Sequence, residues 1–168
     1  TGYVPLLDAG YVNYYQISQT PSHVGVYMEM RHDARIVPIT NRPHLSKNIR
    51  LWLGDPIGRW EGDTLVIDST NFRDDSPISI SGANATATTH LVERLTRVAP
   101  DTLKYEVTAD DPSTWTKPWT AVLFMKSTQD QIYEYACHEG NYAMENALRA
   151  ARAEDRKAAG SAGKSQPQ

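Results

Sequence analysis

Arg59-Trp-Glu-Gly-Asp-Thr-Leu-Val-Ile-Asp-Ser-Thr70 aligns without a gap on Arg97-Val-Ala-Pro-Asp-Thr-Leu-Lys-Tyr-Glu-Val-Thr108. The copies share the arginine, the Asp-Thr-Leu triplet, an acidic residue three positions after the leucine, and the closing threonine. Each reads as one hairpin: a strand end, a Gly-Asp or Pro-Asp turn, then a strand with leucine inward at period two. Asp63 and Asp101 are therefore expected in turns, supporting backbone and no chemistry. A looser third copy, Met125-Lys-Ser-Thr-Gln-Asp-Gln-Ile132, suggests another hairpin.

Strands flank this repeat. Val24, Val26, Met28, Met30 and His32 alternate with Gly25, Tyr27, Glu29 and Arg31, the pattern of a strand with one buried face. Tyr15–Thr20 precedes it as a short strand, and Arg35–Ile39 follows as one limited to an edge or an end by Pro38. His90–Val98, Thr102–Ala109, Thr120–Lys126 and Ile132–His138 complete the set. Residues 41–58 form a long irregular connection in which Ser46 is expected to cap one helical turn ending at Gly54. Residues 73–89, small and polar, read as a flexible loop. After Gly140, Asn141 can cap a helix whose Met144, Ala147, Leu148 and Ala151 make one apolar stripe, with Glu145 and Arg149 paired at i,i+4.

These elements predict a mainly β protein: an antiparallel meander of about eight strands forming an up-and-down, calycin-like barrel or a curved sheet, with one C-terminal helix. The expected organisation is an extended arm over residues 1–15, a single barrel-like domain with its helix over 16–159, and a flexible tail over 160–168. Eight tyrosine, valine and leucine side chains in the arm are too apolar for a free tail. They predict packing on a second copy of the chain, giving a homo-oligomer, or on a further part of the protein; the alternative is that the arm lies across an end of its own barrel.

Composition narrows the function classes. At 168 residues, 40% apolar and 22% charged, the chain has the makings of one well-filled domain. A formal charge of −3 leaves no electrostatic footprint for nucleic acid. No run of about eighteen apolar residues predicts a membrane span. One cysteine excludes an internal disulfide and a multi-cysteine metal site. No phosphate loop or nucleophile elbow is present, and no cofactor is expected.

Candidate chemistry gathers at strand ends. Tyr133-Glu-Tyr-Ala-Cys-His-Glu139 delivers Cys137, His138 and Glu139 in succession. His138 and Glu139 are a candidate acid–base pair if the strand has already ended near Cys137, since adjacent strand residues otherwise face opposite ways. His32 and Asp33 pose the same possibility at another strand end. His44, in the irregular loop beside Arg42, can hang over a barrel mouth, where Met30, Trp60 and Trp119 are candidate ligand contacts. The histidines lack the spacing of a metal motif, and no metal is assigned. Against each stands a bland alternative: His32 as a satisfied core histidine, Cys137 as a small buried side chain, and the tryptophans as plugs.

Gly58-Arg-Trp-Glu-Gly-Asp-Thr-Leu-Val66, Thr114-Trp-Thr-Lys-Pro-Trp-Thr120 and Tyr133-Glu-Tyr-Ala-Cys-His-Glu-Gly-Asn-Tyr142 together resemble a family of uncharacterised exported bacterial proteins. The resemblance spans roughly residues 11–150. It implies export, hence a periplasmic or extracellular protein, and a longer N-terminal region, and it transfers no catalytic residue. The leading expectation is a module that binds a small, largely apolar or aromatic molecule in a barrel cavity. Two alternatives stand beside it: a cofactor-free acid–base enzyme (lyase, isomerase or hydrolase) using His138, and a structural subunit of an extracellular assembly.

Overall fold

The two Asp-Thr-Leu copies fold as two hairpins of one sheet. A computed structural model describes residues 4–7, 14–76, 78, 84–134 and 139–162. It divides into two compact units, Thr1–Tyr135 and Ala136–Gln168. In the first unit β1 (Tyr15–Gln19), β2 (His23–Met28) and β3 (Ala34–Pro38) form a three-stranded antiparallel sheet. β4 (Asp55–Glu61), β5 (Thr64–Thr70), β6 (His90–Ala99), β7 (Thr102–Asp110) and β8 (Trp119–Lys126) form a five-stranded one. The expected eight-strand antiparallel meander is present, as two sheets; no closed barrel forms among the described residues.

The sheets bury their inner faces against each other. Val24, Val26, Met28 and Val37 meet Leu65, Ile67, Leu95, Tyr105 and Val107 in one core cluster. The alternation on β2 puts its apolar set inward as expected, but only as far as Met28. Glu29 then turns helical, Met30–His32 is a 3-10 turn, and His32 sits at φ 55°. The Met28 N–H donates to Asp33 O at 2.9 Å, closing the hairpin. His32 therefore leaves the inward face and is exposed, a correction to its placement on the strand.

β3 and β4 touch where the sheets meet. Ile39 and Gly58 form an isolated parallel bridge, with Thr40 N–H donating to Gly58 O at 3.1 Å. Glycine is required there by space: a Cβ would lie 2.7 Å from Ile39 Cδ1 and 3.0 Å from Val37 Cγ1. At the opposite side of the wall, β1 and β8 are edges with no strand partner among the described residues.

Several expectations fail locally. Residues 46–53 make turns instead of a helical turn, with Leu51 bridged to Phe72. The third hairpin is not seen among the described residues: β8 ends at Lys126 and no strand follows through Glu134. Residues 135–138, including Cys137 and His138, lie outside the described residues. The described end of the small-residue loop is tightly held. Buried Asp111 accepts hydroxyl hydrogens from Thr86, Thr88, Thr89, Ser113 and Thr114 at 2.7–3.1 Å. Burial pushes this carboxyl up, and the hydroxyl donors, Thr88 and Thr89 first, outweigh it and hold it well below the usual range. Trp115 and Trp119 meet edge to face, 5.5 Å between centroids, against a second core cluster of Phe72, Leu91 and Ala109.

In the arm, Val4 and Leu6 are buried in this chain's own core clusters. The same atoms cannot also contact another copy, so the described part of the arm, residues 4–7, serves its own unit. In the second unit, Asn141 Oδ1 accepts from Ala143 N–H at the start of α1 (Ala143–Ala162), and Glu145 pairs with Arg149 at 2.6 Å. The helix runs beyond the expected boundary at 159. On its stripe, Met144 is 74% exposed.

The turns and the close approach predict graded costs in urea unfolding. Gly58→Ala should cost about 1–3 kcal/mol through overpacking against Ile39 and Val37. Gly62→Ala should cost about 1 kcal/mol from backbone strain alone, because Gly62 has φ 58° and open space around its Cβ position. Asp63 lies in the expected turn but its carboxylate makes no hydrogen bond among the described residues, so Asp63→Ala should stay within about 0.5 kcal/mol. A larger loss for Asp63→Ala than for Gly62→Ala would contradict this order.

Candidate functional site

The connection before β4 lies against one end of the five-stranded sheet because Asn71, held at φ 59°, gives its amide hydrogens to Leu45 O and Ser46 O, both at 3.0 Å. Leu51 N–H donates back to Asn71 O at 2.8 Å. This places Arg42 and His44 over the start of β4 and the end of β5. Asp55, buried, accepts from both terminal nitrogens of Arg42, from Leu45 N–H at 2.8 Å, and from His44 Nδ1 at 3.1 Å. The other ring nitrogen of His44 is 3.1 Å from Asp68 Oδ1. That oxygen is also 2.9 Å from His90 Nε2. A chain of five groups results: Arg42, Asp55, His44, Asp68, His90.

Hydrogen-bond accounting assigns roles within it. A carboxylate only accepts, so His44 satisfies both contacts when each ring nitrogen carries a hydrogen. Asp68 then receives two N–H groups on one oxygen, and His90 keeps Nδ1 without a hydrogen-bond partner among the described residues. Burial pushes Asp55 up, but hydrogen bonds from Arg42, Leu45 N–H and His44 outweigh it and lower the carboxyl to about 2. Among the described residues, no three His, Cys, Asp or Glu side chains are arranged to hold a metal ion. The arrangement can fix a histidine tautomer and pass or accept a proton at His90 Nδ1. It stands on the outer face of the sheet: Asp68, partnered with Ile57 and Val92, alternates with inward Ile67 and Ser69.

A second feature lies at the opposite end of the strands. A groove of about 860 Å³ opens between the start of β1 and the end of β8, the two unpaired edges. Tyr14, Tyr15 and Ile17 line one side and Leu123, Phe124 and Met125 the other. Arg97 and the turn from Pro100 to Leu103 lie at its base, and residues of the segment after β8 complete it.

Of the residues singled out from the sequence, His44 alone belongs to the five-group chain. Met30 is half-buried in the 3-10 turn, Trp60 is 45% exposed at the end of β4, and Trp119 packs on the second core cluster. None of these three lines the groove. Asp33 is half-buried beside exposed His32, and Glu139 is exposed in the turn before α1. Arg42, Asp55, Asp68 and His90 were not singled out. Their signal was faint: Asp68 and His90 are outward polar positions in strands, indistinguishable by period from ordinary solvated ones. Compared with protein-family models, curated proteins and solved structures, the chain matches none.

The lowered Asp55 carboxyl gives a signed pH dependence. Its folded value of about 2 lies below the ordinary 3.8, so its stabilisation is complete above pH 4 and lost as pH falls toward 2. The shift corresponds to about 2 kcal/mol. The stability gap between wild type and Asp55→Asn, measured by urea unfolding, should shrink by about that amount between pH 5 and pH 2. A gap independent of pH would show that the carboxylate's charge is not what holds the connection.

Proposed function

We propose that the protein binds a small, elongated, largely apolar or aromatic molecule in the groove between β1 and β8. One observation carries the reading: between the outer edges of β1 and β8, a space of about 860 Å³ has Tyr14, Tyr15 and Ile17 along one side and Leu123, Phe124 and Met125 along the other. That size falls within the roughly 300–1,000 Å³ typical of small-molecule sites. Between the sheets, where the sequence anticipated a cavity, Leu6, Met28, Tyr105 and their neighbours pack into one core cluster. The neutral dye N-phenyl-1-naphthylamine should bind saturably, one per chain, in the micromolar range. Tyr14→Ala combined with Phe124→Ala should weaken it about fivefold or more, since each removes apolar contact surface without touching the buried core. Non-saturating fluorescence, or wild-type affinity in the double variant, would remove the support for this site.

A second reading, acid–base chemistry, is favoured by a different observation: His90 is backed by Asp68 at 2.9 Å and keeps Nδ1 unpartnered among the described residues, whereas both nitrogens of His44 are engaged. In this reading the base is His90 instead of His138. Diethyl pyrocarbonate should modify His90 in preference to His44, and Asp68→Asn should slow that modification by releasing the tautomer. Equal modification of the two histidines, mapped by peptide mass, would count against it.

A further inference from the structure

The walls of the groove are strand edges, and hydrogen-bond alternation decides which way their backbone groups point. Ser127 N–H donates to Asp101 O at 2.8 Å, continuing the register that pairs β8 with β7. Bonded pairs recur every second residue in an antiparallel ladder. The odd-numbered residues of β8 therefore bond to β7, while Val122, Phe124 and Lys126 turn their N–H and C=O groups to the open edge. β1 repeats the arrangement. Glu29 N–H donates to Tyr14 O at 3.1 Å and Thr20 N–H to His23 O at 2.9 Å. Its even-numbered residues thus bond to β2, and Ile17 presents its backbone outward. Among the described residues, no hydrogen bond reaches the outward groups of Ile17, Val122, Phe124 or Lys126.

Edge strands are usually blunted by charge, proline, a bulge or brevity. β8 has eight residues, a register without shifts against β7, and neither charge nor proline before Lys126. Its outward Val122 and Phe124 are largely exposed. An occupant with backbone donors and acceptors of its own satisfies such an edge, which a hydrocarbon cannot. We propose that the groove takes an extended peptide, which adds to β8 as a further strand. Alternate residues of that peptide are apolar: they point inward to Tyr15, Leu123 and Met125, which pack on the shared core. The rest lie on the outer face beside Val122 and Phe124. The inference rests on the binding reading above and names the class of its ligand. A second copy's β8 is the poorer occupant. It brings its own β7 behind it, and the space across from Phe124 is walled by Tyr14, Tyr15 and Ile17.

Fluorescence anisotropy of a labelled peptide, Lys-Thr-Val-Thr-Leu-Thr-Val-Lys, tests it on the full chain. The peptide should bind saturably, one per chain, and displace N-phenyl-1-naphthylamine. Its threonine amides face β8 when valine and leucine point inward, so N-methylating them should weaken binding about tenfold or more. Val122→Pro should do the same and still fold, because the lost N–H points away from β7. Val122→Ala should stay within about threefold of wild type. Unchanged affinity of the methylated peptide overturns strand addition, whether or not the proline variant folds. Saturable dye binding without peptide binding overturns the peptide and leaves the groove intact. Absence of both defeats the groove and this inference with it. A wild-type dimer in sedimentation that Val122→Pro converts to monomer assigns the edge to a second copy and overturns the peptide as its occupant.

Discussion

A buried ion pair ties the two sheets together. Arg35 reaches from β3 to Glu93 on β6 at 2.6 Å and donates to Ser69 Oγ on β5 at 2.7 Å. Tyr105 on β7 donates to Glu93 Oε1 at 2.8 Å and accepts from Leu6 N–H at 3.0 Å. Burial first, then the Glu93 carboxylate, push the Tyr105 phenol well above its usual range, so it remains a donor. Four strands and the N-terminal arm therefore meet on one carboxylate and one guanidinium. Such a pair is weak evidence for net stability, because desolvation offsets its attraction, but loss of either member leaves an uncompensated buried charge. Among the described residues Arg35 Nε has no hydrogen-bond partner, and Glu93 Oε2 meets Nη1 as a charge contact outside hydrogen-bond alignment. The network gives the sheets a defined register across the core, which apolar packing specifies less sharply.

The open side of the wall follows from where the chain goes after β8. A further strand there would have covered the β8 edge; instead the chain leaves the sheet at Lys126, and Tyr133 N–H donates to Glu29 Oε1 at 3.1 Å near the end of β2. Among the described residues β1 keeps an unpaired edge, as does β8. Unpaired edges invite association, and β8 carries Val122 and Phe124 outward with substantial exposure. β1 is blunted by its brevity and by Gln16, Ser18 and Gln19.

Much of the architecture was legible in the residues, and the reasons it was legible are local. Period two on Val24–Met28 and the Gly-Asp and Pro-Asp turns report geometry that neighbouring residues impose on one another. Asn141 and the Glu145–Arg149 pair are local in the same way. What escaped was set at long range. Nothing near His32 announces a left-handed residue, and nothing near Leu45 and Ser46 announces that Asn71 claims their carbonyls. His44 was noticed for its loop, but Asp55 and Asp68 lie 11 and 24 positions away and join it only once β4 and β5 pair. The loop rich in small polar residues read as flexible, because no local rule reveals that Asp111 gathers its hydroxyls.

Strand β6 sets a scale for what this molecule can do with one ligand. His90 opens the strand and Arg97 nearly closes it, seven residues apart, which is about 23 Å of extended chain. An odd separation on a pleated strand also sends the two side chains to opposite faces. A molecule small enough for the groove cannot touch both. Whatever occupies one end is invisible to the other except through the strand between them, whose inward Glu93 holds Arg35 and Tyr105. The fold thus keeps two polar termini on a single rigid ruler, separately addressable from its two sides.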